Sequence, residues 1–190
     1  MSKSSPIIGV LALQGAVQPH KAHIEAAGAI FRAVKTLAQC EEVDGFIIPG
    51  GESTTMLKLI ERFELWDGLA EQFSKKPVWG ICAGSILMAE KVTNPDQKSF
   101  GLLPITVQRN GYGRQINSHY AAIDGYNVAF IRAPVITEIS KDVEVLAEHG
   151  GTPVWVKKGS IMATTFHPEL TTDTPSPMHK MFVDLISENT

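Results

Sequence analysis

Apolar residues in the first half of the chain fall into short continuous runs, each followed by a segment with helical spacing. Residues 7–13, 30–34, 45–48 and 77–81 form the runs. Stretches this short and this unbroken fit strands buried on both faces, as a parallel sheet covered by helices requires. A first helix is expected over residues 18–27, with Pro19 near its opening turn and Gly28 closing it. A second, over 53–63, puts Met56, Leu57, Ile60 and Phe63 at helical spacing, and a third is expected over 83–92.

The second half reads differently. Residues 103–108, 128–131, 143–147, 154–156 and 161–166 are strand-like and separated by short connections, so they are expected as mixed or antiparallel additions to the same sheet. A last helix is expected over 176–186, with Pro175 and Pro177 at its start. The predicted architecture is a three-layer α/β open sheet with a mostly parallel centre, antiparallel additions and helices on both faces. No repeat, low-complexity tract or linker divides the chain, so residues 1–190 are expected to form a single domain.

Composition narrows the function. With 190 residues, 44% of them apolar, the chain can bury a core without metal or disulfide support. A net charge of -3 with no extended basic block excludes a nucleic-acid surface. Cys40 and Cys82 are too few for a disulfide framework and wrongly spaced for a zinc knuckle, which points to a reducing cytoplasm. The run at 7–13 follows Lys3 and faintly imitates a secretory signal, but Gln14 interrupts it and no small-x-small cleavage site follows. No run approaches the ~18 apolar residues of a membrane helix, and no membrane association is expected.

The sharpest chemical motif is Gly80-Ile81-Cys82-Ala83-Gly84, a cysteine at a strand-to-helix turn with glycine two positions away on each side. This is the nucleophile-elbow pattern with sulfur in place of hydroxyl. A helix N-terminus offers free N–H groups and partial positive charge, which favour a thiolate and can hold an oxyanion. The plain alternative is a small buried cysteine in a glycine-rich turn. A thiol nucleophile needs a base, and His167 in Thr165-Phe166-His167-Pro168-Glu169 supplies one. Pro168 forces His167 to be extended, and an extended chain puts Glu169 on the same side, where its carboxylate can accept the imidazole N–H. Pro49-Gly50-Gly51-Glu52-Ser53 lies between a strand and a helix; it fits an oxyanion or anion cradle, or equally a turn with Ser53 as N-cap.

Cys82 in its elbow together with His167-Pro168-Glu169 resembles the class I (triad) glutamine amidotransferases. Within them, the chain is similar to the family of glutaminase subunits of pyridoxal 5'-phosphate synthase. The matching stretches are GVLALQGAV (9–17), GFIIPGGESTT (45–55), GICAG (80–84), RNGYGRQ (109–115), FIRAP (130–134) and FHPELT (166–171). The resemblance implies a glutaminase that turns L-glutamine into glutamate and ammonia, using Cys82, His167 and Glu169 as the triad. It implies an oxyanion hole from the N–H groups of Gly51 and Ala83. It also implies a glutamine site lined by Gly50, Gly51, Glu52, Arg109, Ile131 and Arg132. Each arginine could instead be a structural ion-pair residue. The implied partner is the synthase subunit, in a hetero-oligomer that receives the ammonia and makes pyridoxal 5'-phosphate. No metal or cofactor is implied for this chain.

Other triad glutaminases, such as that of imidazole glycerol phosphate synthase or a γ-glutamyl hydrolase, and a catalytically silent regulatory subunit are the alternative readings. Ser85 stands where the family commonly has an apolar residue, and the segment 123–128 is shorter than usual. His20 and His23 sit three apart on the first helix without a third ligand, so a structural or partner-facing role is expected. His179 belongs to no motif. Trp66, Trp79 and Trp155 are expected to be packing residues.

Overall fold

The computed structural model describes residues 4–111 and 118–188. In chain order the elements are β1 (Ile7–Leu11), α1 (His20–Ala26), β2 (Ile30–Val34), α2 (Leu37–Glu41), β3 (Gly45–Ile48), α3 (Ser53–Arg62), α4 (Trp66–Lys75), β4 (Val78–Ile81) and α5 (Ala83–Met88). There follow β5 (Ala89–Thr93), β6 (Leu103–Gln108), β7 (His119–Ile123), β8 (Tyr126–Phe130), β9 (Val135–Ile139), β10 (Glu144–His149), β11 (Thr152–Lys158), β12 (Ile161–Thr164) and α6 (Pro177–Glu188).

The main sheet has seven strands in the order β10-β11-β12-β4-β3-β1-β2. From β12 to β2 the neighbours are parallel, while β11 and β10 continue the edge antiparallel. This is the mostly parallel centre with antiparallel additions that the hydrophobic pattern predicts. Side chains of the central strands alternate between two apolar clusters, as the two-residue period of a strand demands. Phe46, Ile48 and Val78 meet Met56 and Ile60 of α3 and Leu69 and Phe73 of α4 on one face. Ile47, Trp79 and Ile81 meet Ile24 of α1 and Met178 and Phe182 of α6 on the other.

Two expectations need correction. Residues 103–108 do not extend the main sheet: β6 pairs with β5 and β9 in a separate three-stranded sheet, and residues 128–130 lie in a β7–β8 hairpin. The helix expected over 83–92 stops at Met88, and Ala89–Thr93 is strand. Phe100 and Leu102 donate backbone N–H groups to the carbonyls of Leu87 and Met88, ending the helix where Glu90 and Lys91 reach solvent. Periodicity could not mark this change, because α5 is buried on every side.

Two helices absent from the sequence reading also form. Thr36 and Gln39 close a reciprocal capping box on α2. In α4, Trp66, Leu69 and Phe73 carry a helical spacing that was legible in the sequence. The β7–β8 turn at Asp124-Gly125 has positive φ at both residues, the geometry that lets a two-residue turn join strands, and it accounts for the short segment there.

Candidate active site

The carboxyl end of β4 delivers Cys82 to the N-cap of α5 with φ 48° and ψ -103°. A non-glycine residue in this region carries backbone strain, which surrounding packing must hold. The Cys82 N–H donates to the Thr164 carbonyl at 2.8 Å, and the Cys82 carbonyl accepts from Ser85 Oγ at 2.6 Å and from the Ile86 N–H at 3.3 Å. Gly84 is required by close approach: a Cβ there would strike the Ile48 carbonyl. Ser85 therefore ties the elbow down from inside the helix.

His167 follows β12 and is fixed by a backbone bridge, its N–H donating to the Ala129 carbonyl at 2.8 Å. It is extended, with φ -109° and ψ 93°, as the following proline dictates. Glu169 does not reach it along an extended chain as expected. Pro168–Leu170 form a single 3-10 turn, which brings Glu169 Oε1 to 2.8 Å from His167 Nδ1. The Nδ1–H donates to the carboxylate, leaving Nε2 for Cys82. Burial alone would lower the His167 pKa, but hydrogen bonds to Cys82 and Glu169 and their charges raise it to about 10. Burial opposes the charged form of Glu169, yet the His167 hydrogen bond and nearby imidazoles hold its pKa below the ordinary value.

A cleft of about 460 Å³ opens over this group. Cys82, Ala83 and His167 line it together with Gly50, Gly51, Glu52, Arg109, Ile131 and Arg132. The residues picked from sequence thus converge, with Glu169 behind His167. Glu52, not Ser53, is the N-cap of α3, and its side chain makes no capping bond. It pairs instead with Arg132, a residue at φ 45° that is more than half exposed. Arg109 donates from Nη2 to Thr54 Oγ1 at 2.7 Å. The Gly50 carbonyl accepts from the Ala16 N–H at 2.9 Å, which turns the N–H of Gly51 to the opposite side of that trans peptide. The thiol of Cys82 lies 3.9 Å from the Ile131 carbonyl.

The comparisons with known proteins agree with this geometry. The model of the SNO glutamine amidotransferase family matches residues 10–188. The chain belongs to that family. A relative from Solibacter usitatus named pyridoxal 5'-phosphate synthase subunit PdxT is 46% identical, covering 93% of this chain and 97% of its own. The protein of the same name from Mycobacteroides abscessus is 45% identical over 96% of this chain and 98% of its own. A crystal structure of a glutamine amidotransferase is 36% identical, covers 95% of this chain and 98% of its own, and superposes with a TM-score of 0.85.

This SNO family member also brings Gln14 into the cleft, with Thr54 and Gln97 behind Arg109, none of which sequence reasoning singled out. Gln14 lines it and accepts the Glu52 N–H at 2.9 Å, bracing the Gly50-Gly51 loop. Thr54 accepts from Arg109 and donates to Gln97. Gln14 and Thr54 both lie within the stretches that carry the family resemblance, whereas Gln97 has no local motif. Of RNGYGRQ, residues 112–115 lie outside the described residues. His20 and His23 are buried and structural rather than partner-facing. Among the described residues no helix is long and apolar enough to cross a membrane.

Proposed function

We propose that this protein is a glutaminase subunit of pyridoxal 5'-phosphate synthase, working as one domain over residues 1–190 with a Cys82-His167-Glu169 triad. The observation that carries the reading is the strained Cys82 elbow facing an imidazole whose far nitrogen is held by Glu169. The names of the relatives support the pathway and the synthase partner.

The proton shared by Cys82 and His167 rests on the imidazole, the form its raised pKa favours, and Sγ attacks the carboxamide carbon of L-glutamine. The carbonyl π electrons move to oxygen, where the N–H groups of Gly51 and Ala83 stabilise the oxyanion, a contribution of about 3 kcal/mol per donor. The tetrahedral adduct collapses, the C–N bond breaks, and His167 gives its proton to the departing ammonia. His167 then takes a proton from water as that water attacks the γ-glutamyl thioester, and returns it to sulfur as glutamate leaves. Glu169 holds the tautomer and offsets the imidazolium charge. Arg109 and Arg132 supply cations for the α-carboxylate of glutamine, and Glu52 stands beside them for its ammonium. The ammonia passes to the synthase subunit in a hetero-oligomer. A reducing cytoplasm suits this chemistry, and both cysteines are free thiols.

The test is glutamate release by the wild type and by Cys82→Ala, each with and without the cognate synthase subunit. Partner-stimulated release that vanishes in the variant is expected. Release that persists in Cys82→Ala removes the thiol from the mechanism, and tight partner binding with no release in either makes the chain a silent subunit.

A further inference from the structure

Glu169 spends one carboxylate oxygen on His167, while its other oxygen, Oε2, is buried and makes no hydrogen bond within the protein. An acceptor left this way is destabilising, the more so when charged. The titratable groups that feel its charge are His20 and His23 from α1, with His179 from α6 behind them, all buried. His23 is spoken for: its Nδ1 accepts the Ser176 N–H at 3.1 Å and its Nε2 faces the Thr171 carbonyl at 3.2 Å. His179 Nδ1 lies 2.6 Å from Ser176 Oγ, and its Nε2 lies 2.8 Å from His20 Nδ1. At the end of this row, His20 Nε2 is a second buried atom without a hydrogen bond.

The proton positions follow from the row. Ser176 Oγ already accepts the backbone N–H of His179 at 3.1 Å, so its own proton is free to go to His179 Nδ1. His179 then donates from Nε2 to His20 Nδ1, and His20 carries its single proton on Nε2. In the reverse assignment both orphan atoms would be acceptors; in this one they are a donor and an acceptor. Burial lowers the His20 pKa to about 4 and the Glu169 carboxylate opposes that shift, so the ring is neutral at pH 7 and feels the carboxylate.

Resting on the glutaminase reading, we propose that His20 is a positioning residue for the triad: its Nε2–H and Glu169 Oε2, two buried atoms without a hydrogen bond in this structure, pair in the working enzyme and keep Oε1 on His167. The row Ser176, His179, His20, Glu169, His167, Cys82 would then tie the start of α6 and the face of α1 to the nucleophile. His20 does not line the cleft, and its ring also approaches Trp79 edge-on.

Two substitutions separate positioning from packing. His20→Asn keeps an acceptor for His179 and deletes the distal donor; His20→Gln keeps a distal donor and loses the proximal acceptor. Three readouts are taken: kcat and KM for glutamine with the synthase subunit bound, melting temperature, and the pH profile of Cys82 alkylation by iodoacetamide followed by intact mass. The charged groups bearing on that profile are Glu169, His20 and His23 around His167, with Glu52, Arg109 and Arg132 along the cleft, and only His20 changes. His20→Asn is expected to lower kcat about tenfold or more with KM unchanged, and to move the alkylation profile to higher pH. His20→Gln recovers most of kcat although it melts as low as the Asn variant. Ser176→Ala, which removes only the hydroxyl at the far end, shifts the profile in the same direction by less. Losses that track melting temperature alike in both His20 variants, with an unmoved alkylation profile in all three proteins, overturn the proposal. Alkylation needs no turnover, so a wild type that fails to hydrolyse glutamine would sink the glutaminase reading and leave this one readable.

Discussion

Gly50 and His167 are packed so closely that a Cβ on Gly50 would run into the imidazole ring, meeting Nδ1 at 2.8 Å. The loop that closes one side of the cleft therefore doubles as a stop for the base. In Gly50→Ala the ring must move, and the Nδ1 bond to Glu169 and the approach to Cys82 go with it. Displacements of this size at a reacting centre cost on the order of 10²-fold in rate. Glutamate release should fall by about that factor while the unfolding transition changes little, because Gly50 lies at the cleft rim and outside both apolar clusters. Near-normal turnover in this variant would mean that the ring and loop do not meet in the working enzyme.

Ser85 gives a milder case. Its Oγ donates to the Cys82 carbonyl at 2.6 Å from a fully buried position. Ser85→Ala deletes that bond, while the Ile86 N–H still satisfies the carbonyl. A loss of about 1 kcal/mol is expected, which for a chain of this size lowers the melting temperature by about 2–4 °C. Calorimetry measures it, and an unchanged midpoint would assign no stabilising role to the hydroxyl.

Much of this site was legible because its parts are local. Pro168 after His167, and glycines on each side of Cys82, constrain backbone angles within a few residues, and such constraints survive in a bare sequence. The parallel centre was legible for a similar reason, since strands buried on both faces leave unbroken apolar runs. What escaped is long-range or ambiguous. The bond from Gln14 to the Glu52 N–H spans 38 residues, and the row from Ser176 to His20 joins the two ends of the chain. At Met88 an apolar run continues through a change from helix to strand, so its pattern holds no boundary. The 3-10 turn at Pro168–Leu170 shows a right contact reached by a different path: two-residue spacing put Glu169 beside His167, but a turn makes the meeting.

On the proposed reading, the Glu52-Arg132 pair in the cleft lining bears on substrate affinity. Arg132 holds a left-handed backbone conformation and presents its guanidinium to Glu52, both more than half exposed. An exposed pair of this kind adds little stability, so its placement over the cleft is better explained by ligand binding. Arg132→Ala should raise KM for glutamine about tenfold or more, with a smaller change in kcat and no measurable change in melting temperature. Arg109, anchored by Thr54, should behave likewise. A drop in kcat at constant KM would instead place Arg132 in the chemical step.

Stability should depend on pH from both sides. His20, whose pKa falls to about 4 on burial, stays neutral in the folded chain while the unfolded chain takes up a proton below about pH 6.5. The unfolded state then binds more protons, so stability falls as pH drops from about 6.5 to 4, by about 3 kcal/mol from His20 alone. His179 and His23, also lowered chiefly by burial, act in the same direction. His167 has the opposite sign. Its folded pKa of about 10 lies above the unfolded value despite burial, because Cys82 and Glu169 hold its proton. Its contribution is complete below about pH 6.5 and fades as pH rises through 10. Urea midpoints measured across this range should therefore peak near neutrality and fall on both flanks. In His20→Phe, which cannot titrate, the acid flank should be shallower; an acid flank as steep as that of the wild type would remove the buried imidazole as its cause.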